Sequence, residues 1–120
     1  MREKSIEQRL VQAVKAAGGI CPKLVCPGMD GMPDRMILFP GGKIAFVETK
    51  APGEKPRPLQ IARHEMLRRL GFRVYVLDNT EEIGPILDEI LSPAPSVTAV
   101  TAPPSNVGAE NNEQLKTGGF

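Results

Sequence analysis

With 120 residues the chain is long enough for one domain with a real core and too short for two of ordinary size, so a single site must carry its function. Hydrophobic residues make up 41% and charged residues 24%, as in a soluble globular protein, while 4% aromatics and no Trp exclude a base-stacking platform. The net charge of +1 hides an uneven distribution: Lys50, Lys55, Arg57, Arg63, Arg68, Arg69 and Arg73 stand against only Glu54 and Glu65, and acidic residues gather from Asp78 to Glu89. Such a basic middle suits phosphates, and equally a solvated helix face.

Ser5 followed three residues later by Gln8 predicts a capped helix start, and Gly18-Gly19 predicts its end. Between them Ile6, Leu10, Val14 and Ala17, broadened by Val11, form an apolar stripe at helical spacing. Ile20 to Cys26 is apolar but broken by Pro22, which predicts an edge strand. Pro27 to Pro33 is a Gly/Pro loop. Arg35 to Phe39 and Lys43 to Lys50, joined by Pro40-Gly41-Gly42, read as a hairpin.

A Pro-punctuated loop, Ala51 to Pro58, leads into a helix from Leu59 to Leu70 that stops at Gly71. Phe72 to Leu77 is a further strand, and a helix of about ten residues follows Asn79, with Pro85 tolerated in its first turns. Strand, helix and strand in succession imply a parallel crossover from Lys43–Lys50 to Phe72–Leu77. The expected architecture is α/β: helix, three strands, helix, strand, helix, with one mixed sheet flanked by helices.

Composition changes after Leu91, where a Pro/Ser/Thr/Gly-rich stretch begins; residues 1–91 are expected to fold and 92–120 to form a disordered tail. Cys21 and Cys26 have only His64 to join them, so a structural zinc is not expected and the thiols are free. No stretch reads as a secretory signal or a membrane span, and the expected location is the cytoplasm.

Three carboxylates and a lysine stand where packing does not explain them. On the strand Lys43–Lys50, Ile44, Phe46, Glu48 and Lys50 share one side while Ala45 and Val47 fill the other, so the strand is central and ends in two charges. A surface ion pair on a strand leaving the sheet is the plain alternative. Asp34 heads the preceding strand, and pairing about the Pro40–Gly42 turn sets it beside Glu48. Two converging carboxylates repel, and a hard divalent cation resolves the repulsion. Glu7 rides the apolar stripe with Val11 and Val14 at i+4 and i+7; stabilisation by the helix dipole accounts for its position near the start but not for its inward face. Gln60 and His64 lie one turn apart with Leu67 on the same face. Gln60 is read as a contact to a phosphate or to the attacking water, and His64 as a secondary candidate beside the packed or capping role usual for a lone His.

Taken together, Glu7, then Gly31-Met32-Pro33-Asp34-Arg35, then Phe46-Val47-Glu48-Thr49-Lys50, then Gln60 closely resembles the VRR-NUC (virus-type replication-repair nuclease) family of the PD-(D/E)XK superfamily. The resemblance spans nearly all of residues 5–78 and implies a restriction-endonuclease-like αβββαβ core. It implies that Asp34 and Glu48 coordinate Mg²⁺ or Mn²⁺, with Glu7 a further ligand, direct or through water. Lys50 then orients the nucleophilic water or stabilises charge on the phosphate, and Gln60 assists. Arg35, Lys55, Arg57, Arg63 and His64 are the expected DNA contacts. With no accessory domain, the chain resembles stand-alone phage and bacterial members, themselves similar to Holliday-junction resolvases. That implies a homodimer acting on branched DNA in the cytoplasm of a bacterium or phage-infected host, in replication, repair or recombination. The rival reading is a non-catalytic DNA-binding module that keeps the nuclease fold.

Overall fold

The apolar stripe of the first helix, α1 (Glu3–Ala16), is realised as Ile6, Leu10 and Val14, all removed from solvent. The computed structural model describes residues 1–93. Burying each of these side chains is worth about 2 kcal/mol against exposure, which pins the helix to the sheet. The helix begins two residues before the expected Ser5 cap. Arg2 is the N-cap and Ser5 lies inside the first turn, its N–H donating to the Arg2 carbonyl at 3.0 Å. The end is as expected: Gly18, at φ 97°, lets the Gly19 N–H reach back to the Val14 carbonyl at 3.0 Å.

Ile20 to Cys26 does not form the expected strand. It runs beside the hairpin through two isolated bridges, Ile20 to Leu38 and Lys23 to Arg35. Pro22 accepts from the Met36 N–H at 3.1 Å but has no N–H of its own, so the ladder is interrupted in its middle.

The hairpin strands are β1 (Arg35–Phe39) and β2 (Lys43–Thr49), antiparallel with Arg35 opposite Val47 and Phe39 opposite Lys43. A second helix, α2 (Pro58–Arg69), carries the chain over to β3 (Arg73–Leu77), which pairs parallel to β2 with Glu48 opposite Val76. The sheet order is β1-β2-β3, with β2 in the centre. One 3-10 turn, Thr80–Glu82, is capped by the Asn79 side chain accepting from the Glu81 N–H, and leads into α3 (Ile83–Leu91) with Pro85 in its first turn.

Both faces of β2 are covered. Ala45 and Val47 pack with Ile6, Leu10 and Val14 of α1, Ile37 and Phe39 of β1, Leu77 of β3, and Ile83, Ile86, Leu87 and Ile90 of α3. Phe46 packs on the other side with Leu67 and Val74, flanked by Leu24, Met32, Met36 and Met66. Residues 45–49 of β2 are therefore all buried, and the last two are Glu48 and Thr49. No helix among the described residues is long and apolar enough to cross a membrane. The tail expected over 92–120 lies, beyond residue 93, outside the described residues.

Candidate active site

The central strand delivers Glu48, near its C-terminal end, to Gln60 and His64 of α2. One step beyond the Arg35–Val47 pair the register brings Asp34 alongside it. Asp34 is fixed from the β2 backbone: the Thr49 N–H donates to its Oδ1 at 3.1 Å and the Thr49 hydroxyl to its Oδ2 at 2.6 Å. The loop before Asp34 is held down as well. Gly31, at φ 87°, lies so close to α2 that a Cβ would come within 2.8 Å of Leu59 Cγ, and Arg63 Nε donates to the Asp30 carbonyl at 2.8 Å.

Glu48 is only 4% exposed. Its Oε2 accepts from Gln60 Nε2 at 3.1 Å and lies 3.9 Å from Lys50 Nζ. The amide of Gln60 is oriented by its own backbone neighbour, since its Oε1 accepts from the Arg57 N–H at 2.8 Å, leaving the NH₂ to face Glu48. Glu48 Oε1 has no hydrogen-bond partner; it lies 3.6 Å from His64 Nε2, which has none either.

Burial and, next, the charge of Asp34 push the Glu48 carboxyl up to about 7, with Lys50 pulling the other way. Asp34 is raised too, by burial first, against the lowering effect of the two Thr49 hydrogen bonds; Glu7 adds to the rise. Burial, then Arg68 and Lys50, lower His64, which favours its neutral imidazole. Glu48 thus feels the charges of Asp34 and Lys50, and Asp34 that of Glu7.

Two expected contacts find other occupations. Arg35, expected on DNA, is 17% exposed; its Nε donates to Glu7 Oε2 at 2.8 Å and another guanidinium N–H to the Cys21 carbonyl at 2.8 Å. Two of its five N–H donors thus tie α1 to the edge segment. His64, also expected on DNA, is 2% exposed and lies beneath Glu48, out of reach of a strand. Glu7 accordingly faces Arg35 and acts on Asp34 through its charge. Lys55 and Arg57 are exposed on the loop leading to α2.

Two contributors escaped sequence reasoning. Thr49 alternates to the apolar side of β2 and carried no signal beyond its place between Glu48 and Lys50. Glu3, whose charge also raises Glu48, lies one helical turn before Glu7 and could have been found by that spacing. Among the described residues no group of three or more His, Cys, Asp or Glu side chains is arranged as a preformed metal cage.

No family model matches the chain. Over 81 residues, 68% of this chain and 87% of its relative, it is 53% identical to "Putative nuclease p44" of Acyrthosiphon pisum secondary endosymbiont phage 1. A solved structure described as a VRR_NUC domain matches with a TM-score of 0.68 at 29% identity, covering 73% of this chain and 97% of that one. The mixed three-stranded sheet with flanking helices is thus a restriction-endonuclease-like fold. By its sequence relative and its fold together, the chain belongs to the VRR-NUC family of nucleases.

Proposed function

We propose that the chain is a Mg²⁺- or Mn²⁺-dependent DNA nuclease that hydrolyses phosphodiester bonds at Asp34, Glu48 and Lys50. The observation that carries this reading is the convergence of Asp34 and Glu48 at one end of adjacent strands, where the charge of Asp34 helps drive Glu48 up to about 7. A buried Glu48 beside a half-buried Asp34 has an electrostatic cost that a divalent cation offsets. Two carboxylates fit Mg²⁺, which is commonly bound through one or two carboxylates with phosphate oxygens and waters completing its shell, and the missing third side chain is no obstacle. When bound, such a cation polarises the scissile phosphate and promotes ionisation of a water.

The chain's own residues supply the rest. Thr49 and Gln60 hold Asp34 and Glu48 in place, so alignment costs no reorganisation during reaction. Lys50, 12% exposed at the side chain, offers its ammonium as a point charge to the phosphate or as a donor that orients the attacking water. Glu7, tethered by Arg35 through one oxygen, adds negative potential and serves as a further ligand, direct or through water. Lys55 and Arg57 on the exposed loop, with Arg63 behind them, line the approach for the DNA backbone.

For the substrate we infer branched or structured DNA of replication, repair or recombination, cut by a homodimer. The support is the resemblance to stand-alone family members similar to Holliday-junction resolvases. The test is cleavage of end-labelled linear, flapped, nicked and four-way-junction DNAs with Mg²⁺ or with EDTA. Mg²⁺-dependent products, strongest on the junction, are expected. Binding without cleavage of any of them, together with no Mn²⁺ uptake by calorimetry, favours the non-catalytic DNA-binding module instead.

A further inference from the structure

Gln60 and His64 project from the same face of α2, one turn apart, and both reach Glu48. They divide its carboxylate between them. Gln60 Nε2 donates to Oε2 at 3.1 Å, while His64 Nε2 stands 3.6 Å from Oε1. That second gap is slightly too long for a hydrogen bond. Yet both atoms are closed off from solvent and neither has any other partner. A water or a hydrated ion cannot stand between two atoms so enclosed, so only His64 can satisfy that edge of Glu48. A shift of a few tenths of an ångström closes the contact.

Which nitrogen carries the hydrogen follows from the partner. Once Glu48 is ionised, as it is well above pH 7, its carboxylate only accepts, so Nε2 then donates, as it can in the charged imidazole and in one neutral tautomer alike. The imidazole is also rigidly seated, 2% exposed and followed on the same helical face by the buried Leu67. Loss of its donor would leave the carboxylate free to rotate about the Gln60 hydrogen bond.

We propose that His64 is a positioning residue whose Nε2–H caps Oε1 of Glu48 and, with Gln60 on Oε2, fixes the rotation of the carboxylate presented to metal and phosphate. The metal half of this role rests on the function proposed above; the His64–Glu48 contact does not. His64 thereby acts through Glu48, and neither touches DNA nor ligates the cation itself.

The chain contains a single His, so the side-chain ¹⁵N spectrum of the tag-free, metal-free protein reports this imidazole alone. The spectrum is taken well above pH 7, where Glu48 is ionised, and the hydrogen is expected on Nε2; a neutral imidazole protonated on Nδ1 there overturns the contact. Calorimetry with Mn²⁺ is then run on wild type, His64→Leu and His64→Gln, beside thermal melts and cleavage kinetics. Gln places its amide nitrogen about where Nε2 stood, whereas Leu offers no donor. His64→Leu is expected to weaken Mn²⁺ binding and lower kcat by about 10- to 100-fold with little change in KM for DNA, as is usual for groups that orient a ligand. His64→Gln is expected to recover most of both. Wild-type Mn²⁺ affinity and kcat in His64→Leu, equal loss in both variants, or nitrogen coupling from His64 to bound Mn²⁺ each overturns the assignment. Wild type that binds no Mn²⁺ sinks the metal reading and this role with it, while the tautomer still decides the contact.

Discussion

Thr49 takes both carboxylate oxygens of Asp34, one with its backbone N–H and the other with its hydroxyl, and so fixes the plane of the carboxylate from the adjacent strand. Thr49 is fully buried, and the hydroxyl has no solvent to turn to. Thr49→Val keeps the shape and the backbone bond but removes the 2.6 Å contact. We expect a fold retained with a loss of about 1–2 kcal/mol in stability and kcat reduced by about tenfold or more, KM for DNA being little changed. Steady-state cleavage kinetics beside a thermal melt check this; unchanged kcat would mean that the alignment of Asp34 is immaterial.

Glu48 makes stability depend on pH in an unusual direction. Its carboxyl is raised from 4.5 to about 7, chiefly by burial, so the folded protein holds a proton that the unfolded chain has already released. Stability from this group is whole below pH 4.5, falls as pH rises to about 7, and above that stays lower by about 3 kcal/mol. The raised Asp34 acts in the same sense. Glu48→Gln, uncharged throughout, should therefore melt at least about 4 °C above wild type at alkaline pH in EDTA, with the gap vanishing in acid. Melts across a pH series decide it, and coincident alkaline melts would contradict the burial argument.

Arg35 joins Glu7 to the Cys21 carbonyl with side chains that are 17% and 15% exposed, which screens the pair only in part. Arg35→Met should cost about 1–3 kcal/mol in stability, because Glu7 and the carbonyl lose their donor. It should leave the salt dependence of DNA binding as in wild type. Lys55→Ala or Arg57→Ala should instead leave the melt unchanged and lower the slope of log affinity against log salt by about one. Binding isotherms over a salt series separate the two roles, and a shallower slope in Arg35→Met would return it to the DNA surface.

The hairpin, the crossover helix and β3 were legible because their signals are local: alternation in Arg35–Phe39 and Lys43–Lys50, glycines at the turn, and Gly71 at a helix end. The Ser5 cap was misleading, since the stripe of Ile6, Leu10 and Val14 sets where α1 lies and a Ser inside a first turn is tolerated. The interrupted Ile20–Cys26 segment was half legible, because Pro22 announces an edge but not how many bridges survive. In the site, the convergence of Asp34 and Glu48 followed from hairpin register. The commitment of Arg35 to Glu7 and Cys21 could not be read, for its partners lie 28 and 14 residues away and depend on how α1 docks. The burial of His64 was written in its helical spacing to Leu67, a signal outweighed by the basic residues around it.

Whether Asp34, Glu48 and Lys50 form one hydrolytic centre is decided by the single-turnover rate of Mg²⁺-dependent cleavage by Asp34→Asn and Lys50→Ala on DNA that each variant is shown to bind. Folded proteins with near wild-type DNA affinity and a rate lowered by at least about a thousandfold are expected. Cleavage near the wild-type rate by both variants would show that these residues do not form the hydrolytic centre.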